Sequence, residues 1–344
     1  MKKLTIILFF YFLQMQSKLL MAQDLHFSQF MNSPLLTNPA NTGFIPDGDY
    51  RLGALYRNQW TNISGFPYKT MNVYGDMQAL QNDYNTGWLG IGGSLLHDVA
   101  GTGVLTSTKV YASVAYHQMV NNGSLVSLGF NLGLANKSIN TSGLSFPSQW
   151  NGQFFDAHQI GSAPVFDYNN INYFDLQVGA NYAYFPNENI YLNAGVSAMH
   201  INRPRESFFA STAGADAKVP ARYTAFLNGS FKVNDRVILN PNAYYSFETA
   251  THELVGGLNA HYDISGEGSK ILIAGAYYRF KESVIPMVGL EFNSIQMTFS
   301  YDVTVSSLKN YNGSRGAFEF SLVKQGVLDR FNGNKSQSIC PSFK

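Results

Sequence analysis

Residues Tyr173 to His200 read YFDLQVGANYAYF, then PNEN, then IYLNAGVSAMH, and their pattern decides the fold. Phe174, Leu176, Val178, Ala180, Tyr182 and Tyr184 fall on one side of a strand, with Asp175, Gln177, Gly179, Asn181 and Ala183 on the other. After Pro186-Asn187-Glu188-Asn189 the alternation resumes, with Ile190, Leu192, Ala194, Val196 and Ala198 opposing Asn193, Gly195 and Ser197. Successive side chains of a strand point to opposite faces, so this period of two means one apolar face and one polar face. Two such runs joined by four turn-forming residues predict a β-hairpin. Soluble strands average about 5–6 residues, whereas a tilted strand crossing a bilayer needs roughly 9–11. These runs have the longer dimension. A half-buried hairpin of a soluble sandwich would alternate in the same way and is the competing reading.

The chain begins MKKLTIILFFYFLQMQSKLLMAQ, with Lys2 and Lys3 ahead of the apolar run Leu4–Leu13 and Ala22 as the last residue before a cut. That order predicts a secretory signal peptide over residues 1–22, although Leu20 is larger than the cleavage rule prefers. No later stretch reaches the ~18 consecutive apolar residues of a transmembrane helix. An exported chain is then periplasmic, secreted or an outer-membrane barrel, and composition favours the barrel. Charged residues are 13%, aromatic residues 15%, and there are 31 glycines; an ordinary soluble domain is about 25% charged. Net charge is +1, and removal of Lys2, Lys3 and Lys18 with the leader takes it to about −2, so nothing predicts a nucleic-acid partner. Cys340 is the single cysteine, which excludes an intramolecular disulfide and leaves an inert thiol or a bond to a partner.

Residues 23–49 carry turn signals such as Asn38-Pro39-Ala40-Asn41 and predict a periplasmic lead-in segment tucked into a barrel mouth. Alternating runs follow at 50–56, 69–79, 87–97, 106–117 and 124–135, then the opening hairpin. Seven more lie at 222–232, 236–245, 253–262, 270–280, 284–292, 295–301 and 316–322. The expected architecture is an all-β, closed antiparallel transmembrane barrel of about fourteen strands over residues 50–322, with a periplasmic tail at 323–344. An even count brings both chain ends to one membrane side. Connections after odd-numbered strands (57–68, 98–105, 136–172, 201–221) are long and those after even-numbered strands short, as expected when one rim faces outward. A soluble sandwich has no reason to sort its loops by parity. Short connections at 246–252 and 281–283 and Pro241 inside a run keep twelve strands as the alternative count. The aromatic pairs Tyr173-Phe174, Tyr184-Phe185, Tyr244-Tyr245 and Tyr277-Tyr278 sit near strand ends, where rings line the water–lipid boundary.

No enzyme constellation is present: there is no Gly-x-Ser-x-Gly elbow, no His-Glu-x-x-His, no cysteine pair and no phosphate loop. The expectation is a non-enzyme without metal or cofactor. His97, His117 and His200 end strands, where rim hydrogen bonding is expected of them. A charge on the lipid face near the midplane costs about 2–4 kcal/mol, so Asp175, Arg279, Glu291, Asp302 and Glu319 are expected in the lumen or at a rim. The long loops hold Phe146, Trp150, Phe154, Phe155 and Phe166 in one, and Arg203, Arg205, Phe208 and Phe209 in the next. Connectors of that length usually carry function, and these two form the candidate partner-binding face, with a self-packed lid as the plainer alternative.

Several fragments together resemble the PorP/SprF family of outer-membrane proteins of type IX secretion and gliding systems. They are Gln29-Phe30 with Pro34-Leu35 and Asn38-Pro39-Ala40-Asn41-Thr42-Gly43, then Tyr56-Arg57-Asn58-Gln59-Trp60, then Gly195-Val196-Ser197 with His200 and Pro204. Ser300-Tyr301-Asp302, Glu319 and the terminal Cys340-Pro341-Ser342-Phe343 complete the series. One departure is Phe318, where the family pattern has a histidine before Glu319. The resemblance implies an outer-membrane barrel that helps export, or retains at the surface, large adhesin-type cargo carrying a type IX signal. Its implied partners are outer-membrane lipid, that cargo at the outer loops, and periplasmic components of the machine. A pore or transporter for small solutes, hydrophobic ones included, is the alternative.

Overall fold

A computed structural model describes residues 26–46, 48–60, 67–81, 86–101, 105–140, 150–154, 166–210, 217–249 and 251–328. Fourteen strands follow the alternating runs. They are β1 (Tyr50–Gln59), β2 (Tyr68–Gln81), β3 (Gly87–Ala100), β4 (Leu105–Asn121), β5 (Ser124–Ile139), β6 (Asn170–Asn187) and β7 (Ile190–Met199). The second half comprises β8 (Arg222–Asn234), β9 (Val237–Glu248), β10 (Thr251–Asp263), β11 (Lys270–Arg279), β12 (Ser283–Phe292), β13 (Ile295–Thr304) and β14 (Arg315–Gly326). Each strand pairs antiparallel with its sequence neighbours, and β14 pairs with β1 from Tyr50↔Gly326 to Gln59↔Ala317, closing the barrel. Closure satisfies the backbone donors and acceptors that lipid cannot.

The strands outrun the sequence-predicted boundaries, with β6 reaching 18 residues. One rim carries the connections 60–67, 101–104, 140–169, 200–221, 249–250, 280–282 and 305–314, which include all the long ones, and the other carries 82–86, 122–123, 188–189, 235–236, 264–269 and 293–294, none longer than six residues. The long-loop rim faces outward by the rule for such barrels. Pro241 produces neither a bulge nor a strand boundary. The β8–β9 register runs unshifted past it, but the pairs Gly229–Pro241 and Ser230–Asn240 drop out of the ladder. Proline has no N–H to donate, so pairing lapses locally while the strand continues. Pro286 does the same between β12 and β13.

The two faces follow the alternation. On β6, Phe174, Val178, Tyr182 and Tyr184 are exposed on the outer wall, while Asp175, Gln177, Asn181 and Ala183 are buried in the lumen. Each aromatic pair is split by that rule: Phe174, Tyr184, Tyr245 and Tyr278 face outward, whereas Tyr173, Phe185, Tyr244 and Tyr277 point into the lumen. Only one ring of each pair can join a girdle. Asp175, Arg279, Glu291, Asp302 and Glu319 are all buried. Among the described residues, no helix is long and apolar enough to cross a membrane.

The lumen is not open. Residues 26–46 and 48–49 run through it as three short turns, Phe30–Asn32, Pro34–Thr37 and Pro39–Asn41, joined by irregular chain. Phe27, Phe30, Leu35, Ala40, Phe44 and Ile45 are all at most 6% exposed. The segment fills the cylinder, as the next section describes, rather than resting at its mouth.

Candidate functional site

The segment is fastened at its beginning by charge. Arg57 of β1, Arg279 of β11, Asp302 of β13 and Glu319 of β14 all point into the lumen near its outer end, each at most 2% exposed. Arg57 pairs with Glu319 through Nη1 and with Asp302 through Nη2 at 3.1 Å. Arg279 reaches Asp302 at 3.0 Å and Glu253 at 2.8 Å. Ser28 sits at their centre. Its hydroxyl accepts from Arg57 at 2.8 Å and Arg279 at 2.6 Å and donates to Asp302 at 2.9 Å. The backbone N–H groups of Ser28 and Gln29 donate to the two Glu319 oxygens at 2.7 and 2.9 Å. Buried ions are tolerated only when paired and hydrogen-bonded, and here the threaded segment supplies the missing bonds.

His26 begins the described chain, 3.3 Å from Glu253. Burial pushes its imidazole down to about 4, against the attraction of Glu253, so the ring is neutral at pH 7. The Asn32 amide then donates to Thr298 and Ser321 hydroxyls, and Tyr74 donates to the Asn32 carbonyl.

Farther in, the segment lies directly on the wall. The Asn38 amide donates to the carbonyls of Ala180 and Val196, 3.0 Å each, on the paired strands β6 and β7. It reaches them because Gly179 carries no side chain; a Cβ there would overlap Asn38. A Cβ at Gly129 would overlap the Pro39–Ala40 peptide, and one at Gly90 the Thr42 carbonyl. Together these positions form a trough in the lumen wall for residues 38–43. Gly43, at φ +68°, makes the turn out of it and donates its N–H to Asp76 at 2.8 Å. Arg51 grips Asp76 with Nε and Nη2 at 3.1 and 2.7 Å and also donates to the Asn41 carbonyl.

The periplasmic end is aromatic. Trp88 is fully buried, donates to the Gly43 carbonyl at 2.9 Å and stacks on His117 at 4.8 Å between ring centres. His117 Nε2 lies 2.8 Å from the Thr42 carbonyl, which can only accept, so this nitrogen carries the proton and Nδ1 accepts from Ser127 at 2.7 Å. His117 therefore holds the segment, beyond the rim role expected of it. His97 bonds Thr108 across β3 and β4, and His200 Nδ1 meets Asp175 at 2.7 Å, with Tyr111 donating to the other Asp175 oxygen. Among the described residues, no three His, Cys, Asp or Glu side chains gather to hold a metal ion.

The sequence-predicted partner residues divide. Phe166 stacks on Phe209 and meets Phe208 edge-on, at 5.3 and 6.1 Å, and Tyr168 donates its N–H to the Phe208 carbonyl. The two long loops thus pack on each other at the outer rim. Trp150 and Phe154 are about half exposed, and Arg203 and Arg205 are exposed. Phe146 and Phe155 lie outside the described residues, as do Cys340, Pro341 and Phe343. Of the motif positions, Asn38, Pro39, Ala40 and Gly43 occupy the trough, and Arg57, Asp302 and Glu319 belong to the charge cluster. Tyr56 and Phe318 pair at 6.0 Å away from that cluster, so the departure at Phe318 leaves the ions untouched. Gln59 ends β1, Trp60 meets Tyr68 edge-on, Tyr301 is half-buried and Pro204 is buried. Ser28, Arg51, Asp76, Trp88 and Glu253 were not singled out by sequence reasoning. Asp76 and Arg51 carried a usable signal, being charges inside alternating runs.

In fold, the chain is similar to the toluene transporter TbuX of Ralstonia pickettii, with a TM-score of 0.51 and 10% identity over 85% of this chain and 92% of that one. A FadL homologue of Pseudomonas aeruginosa gives a TM-score of 0.51 at 11% identity over 86% and 94%. At such identity the likeness shows the barrel fold alone. No curated protein matches the chain in sequence. A family model for the type IX secretion system membrane protein PorP/SprF matches residues 20–323. With this barrel, nearly all the strands and motif positions fall inside that match, and the chain belongs to the PorP/SprF family of type IX secretion membrane proteins.

Proposed function

We propose that this outer-membrane barrel is a non-enzymatic anchor that supports export, or retention at the cell surface, of a large adhesin-type cargo. One observation carries the reading: the lumen is occupied by the chain's own residues 26–49, which leaves the outer loops as the working face. Trp150, Phe154, Arg203 and Arg205 are exposed there, on loops braced by Phe166, Phe208 and Phe209. Aromatic and arginine side chains are the usual anchors of protein interfaces. Residues at the periplasmic rim, with the tail beyond β14, are left to meet components of the secretion machine.

Deleting the gene should remove one large exported protein from the cell surface, read by surface labelling and mass spectrometry. Trp150→Ala with Phe154→Ala should weaken its retention while the barrel still assembles. An unchanged surface profile in the deletion strain would overturn the reading. The second reading, a pore for small hydrophobic solutes, is favoured by the similarity in fold to the barrel named as the toluene transporter TbuX. It requires toluene uptake into liposomes containing the purified protein, and a silent liposome counts against it.

A further inference from the structure

The filling of the lumen has one thin place. Phe226 and Tyr244 are cross-strand partners on β8 and β9, flanked in the same row by Gly195 of β7 and Val255 of β10. A Cβ at Gly195 would come 2.6 Å from the Phe226 ring, so that ring lies against bare backbone. Phe30 of the threaded segment packs on Tyr244 at 5.3 Å and meets Tyr277 edge-on at 6.3 Å. With Ile285 and Met287 these side chains form a buried apolar layer across the β7–β12 side of the lumen.

Polar surface lies on both sides of the layer. Toward the outside, a partly open cavity of about 40 Å³, room for a few waters, is lined by His26, Tyr111, Gln177, Met199 and Arg222 and reaches down to Phe30 and Tyr244. Arg222 donates to the Tyr244 hydroxyl there at 2.7 Å. Toward the periplasm the next lumen row is carboxamide, with Asn193, Asn228 and Asn242 paired across β7–β9. Ser230, Asn240 and Asn259 extend it through side-chain hydrogen bonds of 2.6 and 3.0 Å. Tyr277 turns its hydroxyl to that side, accepting from Asn242 and Asn259. Asn228, Ser230 and Asn240 are only half-buried, so solvent from the periplasmic mouth comes within two residues of Phe226. Asn193, 6% exposed, and Asn228 each keep a buried carboxamide oxygen without a hydrogen-bond partner among the described residues.

We propose that a route for small uncharged, hydroxyl-bearing solutes runs beside the threaded segment along β7–β10 and is shut by this single ring layer. The carboxamides below the layer carry no charge, and their unpaired oxygens suit hydroxyl donors. An apolar constriction closes a pore by excluding water, and it wets when its rings are moved or removed. Opening it leaves the charge network and the glycine trough intact, so residues 26–49 need not withdraw. The route is independent of any cargo at the outer loops.

The test places the full chain in liposomes, with arabinose as the probe. Wild-type liposomes should swell in arabinose no faster than empty ones. Phe226→Ala should admit arabinose and show a stepwise conductance absent from the wild type, with residues 26–33 and 38–43 still protected from protease. Entry through the wild type overturns the proposal, as does a variant no leakier than the wild type or one that leaks only when that protection is lost. Asn228→Cys in a Cys340→Ser chain tests the layer without touching its rings. A maleimide on a polyethylene-glycol chain too long to cross the outer membrane should label it in permeabilised cells and not in intact ones. Labelling in intact cells means no seal above Asn228, and no labelling in permeabilised cells means no cleft below it. Either result overturns the proposal even if Phe226→Ala fails to assemble.

Discussion

The two ends of the threaded segment are held by opposite physics. At the outer end Ser28 and Gln29 complete a buried network of two arginines and three carboxylates. Toward the periplasm the segment is held by an absence of side chains at Gly90, Gly129 and Gly179, and by the rings of Trp88 and His117, the second stacked on the segment's own Phe44. Charge pairs resist partial breakage, because one lost partner strands another buried ion. A trough resists filling instead, because backbone lies against backbone. The same segment is thus sensitive to deletion of atoms at one end and to addition of atoms at the other.

That contrast can be broken experimentally. Arg57→Ala leaves Glu319 without its arginine partner and should destabilise the outer end by about 3–5 kcal/mol. Residues 26–33 should become open to protease while residues 38–43 stay protected. Gly129→Val should do the reverse, displacing residues 38–43 at a cost of about 1–3 kcal/mol, and should raise conductance in planar bilayers. Trp88→Phe removes the bond to the Gly43 carbonyl and part of the ring stacked on His117, and should lower the unfolding free energy by about 1–2 kcal/mol, read from chemical denaturation. Acid should also loosen the outer end, through His26. The His26 value in the fold, about 4, lies below its ordinary 6.5, so the folded state binds the proton less readily than the unfolded one. Stability is unaffected above that ordinary value and declines as pH falls from 6.5 toward 4. The decline should be shallower in His26→Gln, measured as the pH dependence of protease release at residues 26–33.

The wall was legible in the sequence and its filling was not. Alternation along Tyr173–His200 specifies which side chains face lipid, because strand geometry leaves only two faces. The same rule, applied to adjacent residues, separates Tyr244 from Tyr245 and shows why paired rings cannot both face lipid. The plug is illegible because residues 26–49 have no period. Their meaning lies in partners far along the chain: Ser28 waits for Asp302, and Asn38 for Ala180 and Val196. Arg57, Asp302 and Glu319 were visible as motif residues, yet only closure of β1 on β14 brings them together. Gly90 and Gly129 read as ordinary strand glycines until the segment is laid against them.

The seam between β1 and β14 has a second duty. Asp49 donates its N–H to Gly326 and accepts from Gln78, so the foot of the threaded segment is tied to the seam itself. Pairing Tyr50–Gln59 with Ala317–Gly326 thus closes the wall and moors the foot of its filling at one place, so vessel and stopper share a single fastening.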